Sequence, residues 1–359
     1  TSYDLLRRDE DRYAEQPFYA CILDEAQAIK NHTTQKYKAV CQVRSQVRFA
    51  LTGTPVENRL GELWSIFSFL MPGYLPPYKN FCARFEKPIV QEEDANAVRR
   101  LNQLTGPFIL RRMKADVLRE LPPKTENVHR IELDTEQRKL YLAAVVDARE
   151  KLRAAKPEDK MAVFAVLMRL RQICCDPRLV ADNWSGGSAK LDACMELVTA
   201  AVEGGHRILL FSQFTSMLDL LAQRLDEAGV SHFTLQGSTP KPVRAELVRR
   251  FNGGEASVFL ISLRAGGTGL NLTAADIVIH YDPWWNVAAQ NQATDRAYRI
   301  GQRNPVQVYR LIAQDTIEEK IVELQQAKQS LADTVTGGAD GAILSMNPEQ
   351  LLQLLGEEA

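Results

Sequence analysis

Residues 258–280, VFLISLRAGGTGLNLTAADIVIH, hold two apolar runs of strand length, Val258–Ile261 and Ile277–His280, on either side of a glycine-rich turn. Short apolar runs bounded by turn formers mark strands buried on both faces, as in parallel sheets. The same cadence continues outward from this stretch. It predicts strands at Ile208–Phe211, His232–Leu235 and Val306–Leu311, and helices at Lys190–Val202, Met217–Ala228, Val243–Phe251 and Val287–Tyr298. Strands alternating with amphipathic helices predict an α/β lobe built on a parallel sheet. A shorter instance precedes it, with strands expected at Tyr19–Leu23 and Arg48–Leu51, so the first lobe is read as partial and the second as complete.

Between the two lobes the period turns helical. Apolar positions at helix spacing run from about Arg59 to Leu118 and again over Glu136–Leu170, and both are read as helical protrusions. NWSGGS at 183–188 is a hinge, and Asn347 with Pro348 opens a short terminal helix as N-cap and first helical residue. The expected division is 1–120, the C-terminal part of the first lobe with the first protrusion; 121–188, a linker and the second protrusion; 189–330, the second lobe; and 331–359, a tail with a short helix.

Forty-four Lys and Arg against 45 Asp and Glu leave a net charge of −1, so any nucleic-acid contact must be local. Basic clusters stand at Arg111, Arg112 and Lys114, and at Arg169 and Arg171; each reads first as a solvated helix face, with a phosphate contact as the alternative. No apolar run approaches the roughly 20 residues that cross a bilayer, and the chain opens on Thr1 with polar residues. The expectation is a piece of a larger protein, with no membrane span and no signal peptide. Six cysteines without C-x-x-C spacing point to reduced thiols in a cytoplasmic setting, with no structural zinc.

Leu23-Asp24-Glu25-Ala26-Gln27 follows the first strand directly, placing an acidic pair at the C-terminal strand edge where α/β sheets hold ligands. Phosphoryl transfer to water needs one carboxylate for Mg²⁺ and one group to orient the water, and an Asp-Glu pair supplies both. Taken alone, such a pair is more commonly a helix cap. Thr52-Gly53-Thr54-Pro55 follows the next strand as a hydroxyl-rich turn, either a sensor of the acidic pair or ordinary turn chemistry. In the second lobe the glycines of Arg264-Ala265-Gly266-Gly267-Thr268-Gly269-Leu270-Asn271 permit close approach of a phosphate. Arg296 and Arg299, three apart, are expected on one helical face, as a triphosphate clamp or as a surface salt-bridge pair.

Together these stretches resemble the SWI2/SNF2 family of helicase-like DNA translocases. DEAQAIKN (24–31), LTGTPVENRLGELWSIFSFL (51–70), LLFSQF (209–214), AGGTGLNLTAADIVIHYDPWWN (265–286) and QATDRAYRIGQ (292–302) are similar to its motifs II to VI, in order and at the right spacing. RLRQICCDPRL (169–179) resembles the family's second helical protrusion, with Cys175 and Asp176 departing from its usual form. The resemblance implies two RecA-like lobes, ATP and Mg²⁺ as cofactors, and double-stranded DNA as partner together with a DNA-bound protein complex.

By the same resemblance Asp24 holds the Mg²⁺ shell and Glu25 activates water. Gln292, Asp295, Arg296 and Arg299 complete the ATP site, and Gly267 and Gly269 approach nucleotide or DNA. Thr52, Thr54, Arg264, Thr268, Asn271, Trp284 and Trp285 serve coupling or DNA contact, although the tryptophans are equally at home in a core. Gln213 and Phe214 are motif positions with no chemistry of their own in the residues. Arg264 stands where the family usually has lysine. No G-x-x-x-x-G-K-[ST] occurs, which places the phosphate-binding loop upstream and leaves the fragment inactive alone. Compact protrusions favour the bacterial branch and a nucleoid-associated monomer, nuclear only if eukaryotic. A DNA- or protein-binding platform without turnover is the alternative, against which the intact Asp24, Glu25, Arg296 and Arg299 speak.

Overall fold

The computed structural model describes residues 1–53, 60–92, 94–112, 117–118, 120–156, 159–263, 265, 269–325 and 346–356. The chain forms two compact units, divided after Arg112. Among the described residues no helix is long and apolar enough to cross a membrane.

The first unit opens with α1 (Tyr3–Arg8) and α2 (Glu10–Glu15), followed by β1 (Phe18–Leu23), α3 (Gln35–Gln42) and β2 (Ser45–Ala50). Ser2 and Thr34 cap α1 and α3 through their hydroxyls, satisfying amides that a helix start leaves without partners. β1 and β2 pair in parallel, Ala20 opposite Val47 and Leu23 opposite Ala50. Beneath them lies a core of Leu6, Ala26, Ile29, Val40 and Phe69. Apolar side chains of the strand pair itself, Tyr19, Ile22 and Phe49, are exposed, as is Leu51 just after β2. Four helices come next: α4 (Leu60–Leu70), α5 (Tyr78–Phe81), α6 (Lys87–Gln91) and α7 (Ala95–Thr105). They bury Leu63, Phe67, Phe81 and Leu101 as a core of their own.

The second unit begins with β3 (Lys124–Ile131), α8 (Thr135–Ala154) and α9 (Lys160–Cys175). Then come α10 (Ala189–Glu203), β4 (Ile208–Ser212), α11 (Thr215–Glu227), β5 (His232–Leu235), α12 (Lys241–Asn252) and β6 (Val258–Ser262). It ends with β7 (Ile277–His280), α13 (Val287–Thr294), β8 (Val306–Ala313), α14 (317–325) and α15 (Pro348–Leu354). Six strands lie in the order β3-β8-β7-β4-β6-β5, every neighbouring pair parallel.

Alternate residues of the central strands serve opposite faces, as the pleat requires. Ile208 and Leu210 pack with Leu191, Val198, Leu218 and Leu221, while Leu209 and Phe211 pack with Phe251, Leu272, Ala293 and Ala297. This is the doubly covered parallel sheet that unbroken apolar runs predict. Two features differ from the sequence reading. β3 falls in the stretch read as linker, because it is a polar edge strand, KTENVHRI, exposed along nearly its whole length and holding its place by pairing with β8. α13 is shorter than expected and ends at Thr294.

The helical pair α8–α9 has a separate core with α14 and α15: Tyr141, Leu167, Leu170, Ile173, Trp285, Ile317, Ile321 and Leu351. Its terminal helix α15 starts as the sequence predicts, with Asn347 as N-cap in a reciprocal capping box with Gln350. Between this core and the sheet lie two ion pairs whose side chains are wholly buried, Arg171–Asp282 and Lys190–Glu318. Glu318 also accepts from the Ala313 amide at 2.9 Å. Burial drives its carboxyl above the ordinary range against the pull of Lys190.

Candidate functional site

In the first unit the acidic pair stands at the C-terminal end of β1, exposed. The Leu51 amide donates to the Leu23 carbonyl at 2.7 Å and the Ala26 amide to the Leu51 carbonyl at 2.9 Å, tying the turn after β1 to the end of β2. Glu25 adopts φ 50° and ψ 51°, a left-handed conformation. For a residue with a side chain this costs about 1–3 kcal/mol, and such strain gathers at functional sites. Asp24 accepts the Glu25 amide on Oδ1 at 2.9 Å, and its carbonyl accepts the Tyr3 hydroxyl at 2.7 Å. Burial, and Asp24 beside it, push that phenol up to about 12, so Tyr3 keeps its proton as a donor.

Gln27 joins the two turns. The Thr52 hydroxyl donates to Gln27 Oε1 at 2.8 Å, and Gln27 Nε2 donates to Glu25 Oε2 at 2.6 Å. The hydroxyl after β2 is thus linked to the carboxylate after β1 through one amide side chain. Neither Gln27 nor Tyr3 stood out in the sequence as a functional residue; Gln27 sits inside a motif whose acidic pair drew the attention. Thr54 lies outside the described residues.

In the second unit the turn after β6 reaches Gly269, which takes φ +25°, and Asn271. The α12 side chain Asn252 grips residues 271–274, donating to the Asn271 carbonyl at 2.8 Å and accepting the Ala274 amide at 3.3 Å. Nothing in the spacing of the sequence singles Asn252 out. Arg264, Gly267 and Thr268 lie outside the described residues.

The two arginines do not share a helical face. After α13 the chain turns, because the Arg296 carbonyl accepts the Leu272 amide at 3.0 Å and the Ala297 carbonyl accepts Gln302 Nε2 at 3.2 Å. A continuing helix would have given both carbonyls to amides four residues on. Arg296 is 6% exposed and packed into the unit, whereas Arg299 is exposed. Gln292 and Asp295 are half-buried, Gln292 on the last turns of α13 and Asp295 as its C-cap. Structure therefore brings the Leu272 loop against the Arg296 segment by a backbone bond that spacing alone does not reveal.

The Trp284 side chain is half-buried and the Trp285 ring buried, the latter in the core of the helical pair. Trp285 lies under Arg171, whose Cζ is 4.4 Å from the ring centroid. Arg171 is therefore neither a phosphate contact nor part of a solvated helix face; its neighbour Arg169 is exposed. Gln213, which had no chemistry in the sequence, accepts from Arg171 Nη1 at 2.7 Å.

Carboxylates at the strand edge fit a divalent cation of the Mg²⁺ kind, which keeps most of its waters and takes one or two protein oxygens. Among the described residues no cluster of three His, Cys, Asp or Glu side chains gathers around a common point.

Residues 1–179 match the SNF2-related domain, and residues 189–301 match the helicase conserved C-terminal domain. A Mycoplasma pneumoniae protein named as an uncharacterized ATP-dependent helicase is 39% identical over 357 residues, covering 98% of this chain and 34% of its own length. Human TATA-binding protein-associated factor 172 is 38% identical over 416 residues, 98% of this chain and 22% of its own. The chain thus spans about a third or less of those two relatives. Among solved structures, the Sulfolobus solfataricus SWI2/SNF2 ATPase core in complex with dsDNA shares 34% identity and a TM-score of 0.56, over 99% of this chain and 76% of that one. Parallel-sheet units, ordered motifs and these likenesses agree: the chain belongs to the SWI2/SNF2 family, and its α/β units are of the RecA-like kind.

Proposed function

We propose that the intact protein is an ATP-driven translocase on double-stranded DNA, hydrolysing ATP when duplex is bound and displacing or remodelling a DNA-bound protein complex. The observation that carries this reading is the Thr52–Gln27–Glu25 chain, which ties the carboxylate suited to orient water to a turn on the neighbouring strand. Asp24 is the carboxylate that would hold Mg²⁺, and Glu25 orients the attacking water. When bound, Mg²⁺ neutralises charge on the phosphate oxygens. Tyr3 and the Glu25 amide fix Asp24, while Gln27 fixes the Glu25 side chain.

Arg299, exposed, is the residue suited to reach a phosphate; Arg296, buried, holds the segment that presents it, beside Gln292 and Asp295. Gly267 and Gly269 approach the nucleotide or DNA, and Arg264, Thr268, Asn271, Thr54 and Trp284 serve the DNA grip and its coupling to hydrolysis. Hydrolysis proceeds by closure of the two lobes, closure shifts the DNA grip, and the protein works as a monomer on nucleoid or nuclear DNA. The phosphate-cradling loop comes from chain outside these 359 residues, so the fragment alone is inactive.

The test is the ATPase rate of the full-length protein and of this chain, each with and without duplex DNA. Stimulated turnover in the full-length protein alone supports the motor. Duplex binding by both with turnover by neither replaces it with a binding platform.

A further inference from the structure

Among the described residues Arg171 is a fully enclosed charged side chain whose hydrogen-bond partners belong to loops at the C-terminal edge of the second sheet. It projects from the last turns of α9. Nη1 donates to Gln213 Oε1 at 2.7 Å; Nη2 donates to Asp282 Oδ2 at 3.1 Å and to the Pro283 carbonyl. Its Cζ lies over two rings, 4.4 Å from the centroid of Trp285 and 5.6 Å from that of Phe214. Asp282 turns its other oxygen to β4, accepting the Ser212 hydroxyl at 2.6 Å and the Gln213 amide at 3.1 Å. One guanidinium therefore fixes the ends of β4 and β7 to a helix of the protrusion.

The loop held in this way leads straight into α13. Asn286 caps that helix, accepting the Ala289 amide at 2.6 Å, and Gln290 on it accepts the Trp284 amide at 3.3 Å. α13 carries Gln292 and runs into the Arg296 segment. A buried ion pair adds little net stability over an apolar substitute. What a planar, five-donor fork supplies is orientation, and lysine has no means of making the same three contacts while stacking on a ring.

We propose that Arg171 is a positioning residue: it transmits the placement of the α8–α9 pair to residues 282–294, and through them sets Gln292 and the two arginines beyond it. This rests on the motor reading above. Misplacement by an ångström at a reacting centre is worth up to about a hundredfold in rate, so a partial loss of the fork lowers turnover without removing nucleotide affinity.

The experiment uses the full-length protein with Arg171→Lys and, separately, Gln213→Ala, which leaves the Asp282 pair in place. Steady-state ATPase in saturating duplex DNA is combined with amide hydrogen exchange. Arg171→Lys is expected to lower kcat about tenfold with KM for ATP within about twofold, and to speed exchange over 283–294 while β6 keeps its protection. Gln213→Ala is expected to show the same pattern at about threefold. Wild-type kcat and wild-type exchange over 283–294 overturn the proposal, as does exchange that rises equally in β6, the mark of mere destabilisation. If Arg171→Lys does not fold, Gln213→Ala decides by the same criteria. If the unmodified protein shows no DNA-stimulated turnover, the motor reading fails on its own, and the exchange over 283–294 alone decides whether Arg171 positions that segment.

Discussion

The Thr52 hydroxyl stands 2.8 Å from Gln27 Oε1 and donates to it, so the turn after one strand reads the glutamine that holds the acidic turn after its neighbour. A threonine and a carboxylate in the turns after separate strands share one amide side chain. Gln27→Ala is expected to lower DNA-stimulated kcat by about tenfold, less than the roughly 10²–10⁴-fold of losing a general acid or base itself because Gln27 only holds Glu25, with KM for ATP little changed. Steady-state ATPase of the full-length protein checks this; an unaltered kcat would remove Gln27 from the relay. Glu25→Gln, which deletes the carboxylate itself, is expected to abolish turnover while equilibrium ATP binding persists.

The arginines of the last motif are expected to part company when mutated. Arg299 is exposed, so Arg299→Ala should shift stability by no more than about 0.5 kcal/mol while cutting turnover at least tenfold. Arg296 is buried, so Arg296→Ala should cost roughly 1–3 kcal/mol and reduce activity as well. Urea unfolding beside ATPase rates separates the two, and equal stability losses would contradict the burial difference.

His280 sets an acid limit on the second unit. It is wholly buried, stacked 5.6 Å from Phe211, with Nε2 2.9 Å from the Thr294 hydroxyl. Burial, with Arg310 and Lys124 adding their charge, lowers its pKa to about 3. The unfolded chain takes up a proton near pH 6.5 and the folded chain does not, so the stability His280 contributes is whole above that pH and is lost as pH falls toward 3. The expected slope is about 1.4 kcal/mol per pH unit within that window. Urea midpoints at several pH values check it, and His280→Gln should flatten the curve.

Lys190 and Glu318 should behave as a unit. Removing one partner leaves the other buried and uncompensated, at about 3–5 kcal/mol. Lys190→Met is therefore expected to destabilise strongly, and the double variant with Glu318→Leu to recover much of the loss. Additive losses in the double variant would show that the charges act separately.

The central strands were legible because, His280 apart, each is apolar along its run and buried on both faces: ILLF, VFLI and IVIH allow hardly any other reading. β3 was not, since an edge strand with outward side chains carries no apolar run, and only its partner β8 defines it. The acidic turn could be placed from its position after a strand, but the left-handed Glu25 and the bridging Gln27 depend on where β2 ends, which is tertiary information. The helix drawn through Arg296 failed for the same reason. A loop some 25 residues away in the chain claims the Arg296 carbonyl, and local propensity does not see it. Arg171 was read as one of a pair of surface charges, because a basic residue in a helix gives no sign in sequence of the carboxylate that swallows it.

The pairing of β3 with β8 bears on how the chain is made. These two strands enclose almost all of the second unit between them in sequence, yet they lie side by side in register, Lys124 with Val306 and Ile131 with Ala313. On the ribosome β3 must therefore wait, unpaired, until the residues through Ala313 have been synthesised. Contacts of such long range are slow to form. The row of polar side chains that hid β3 from view also keeps this waiting strand soluble, where an apolar one would invite aggregation before its partner emerged.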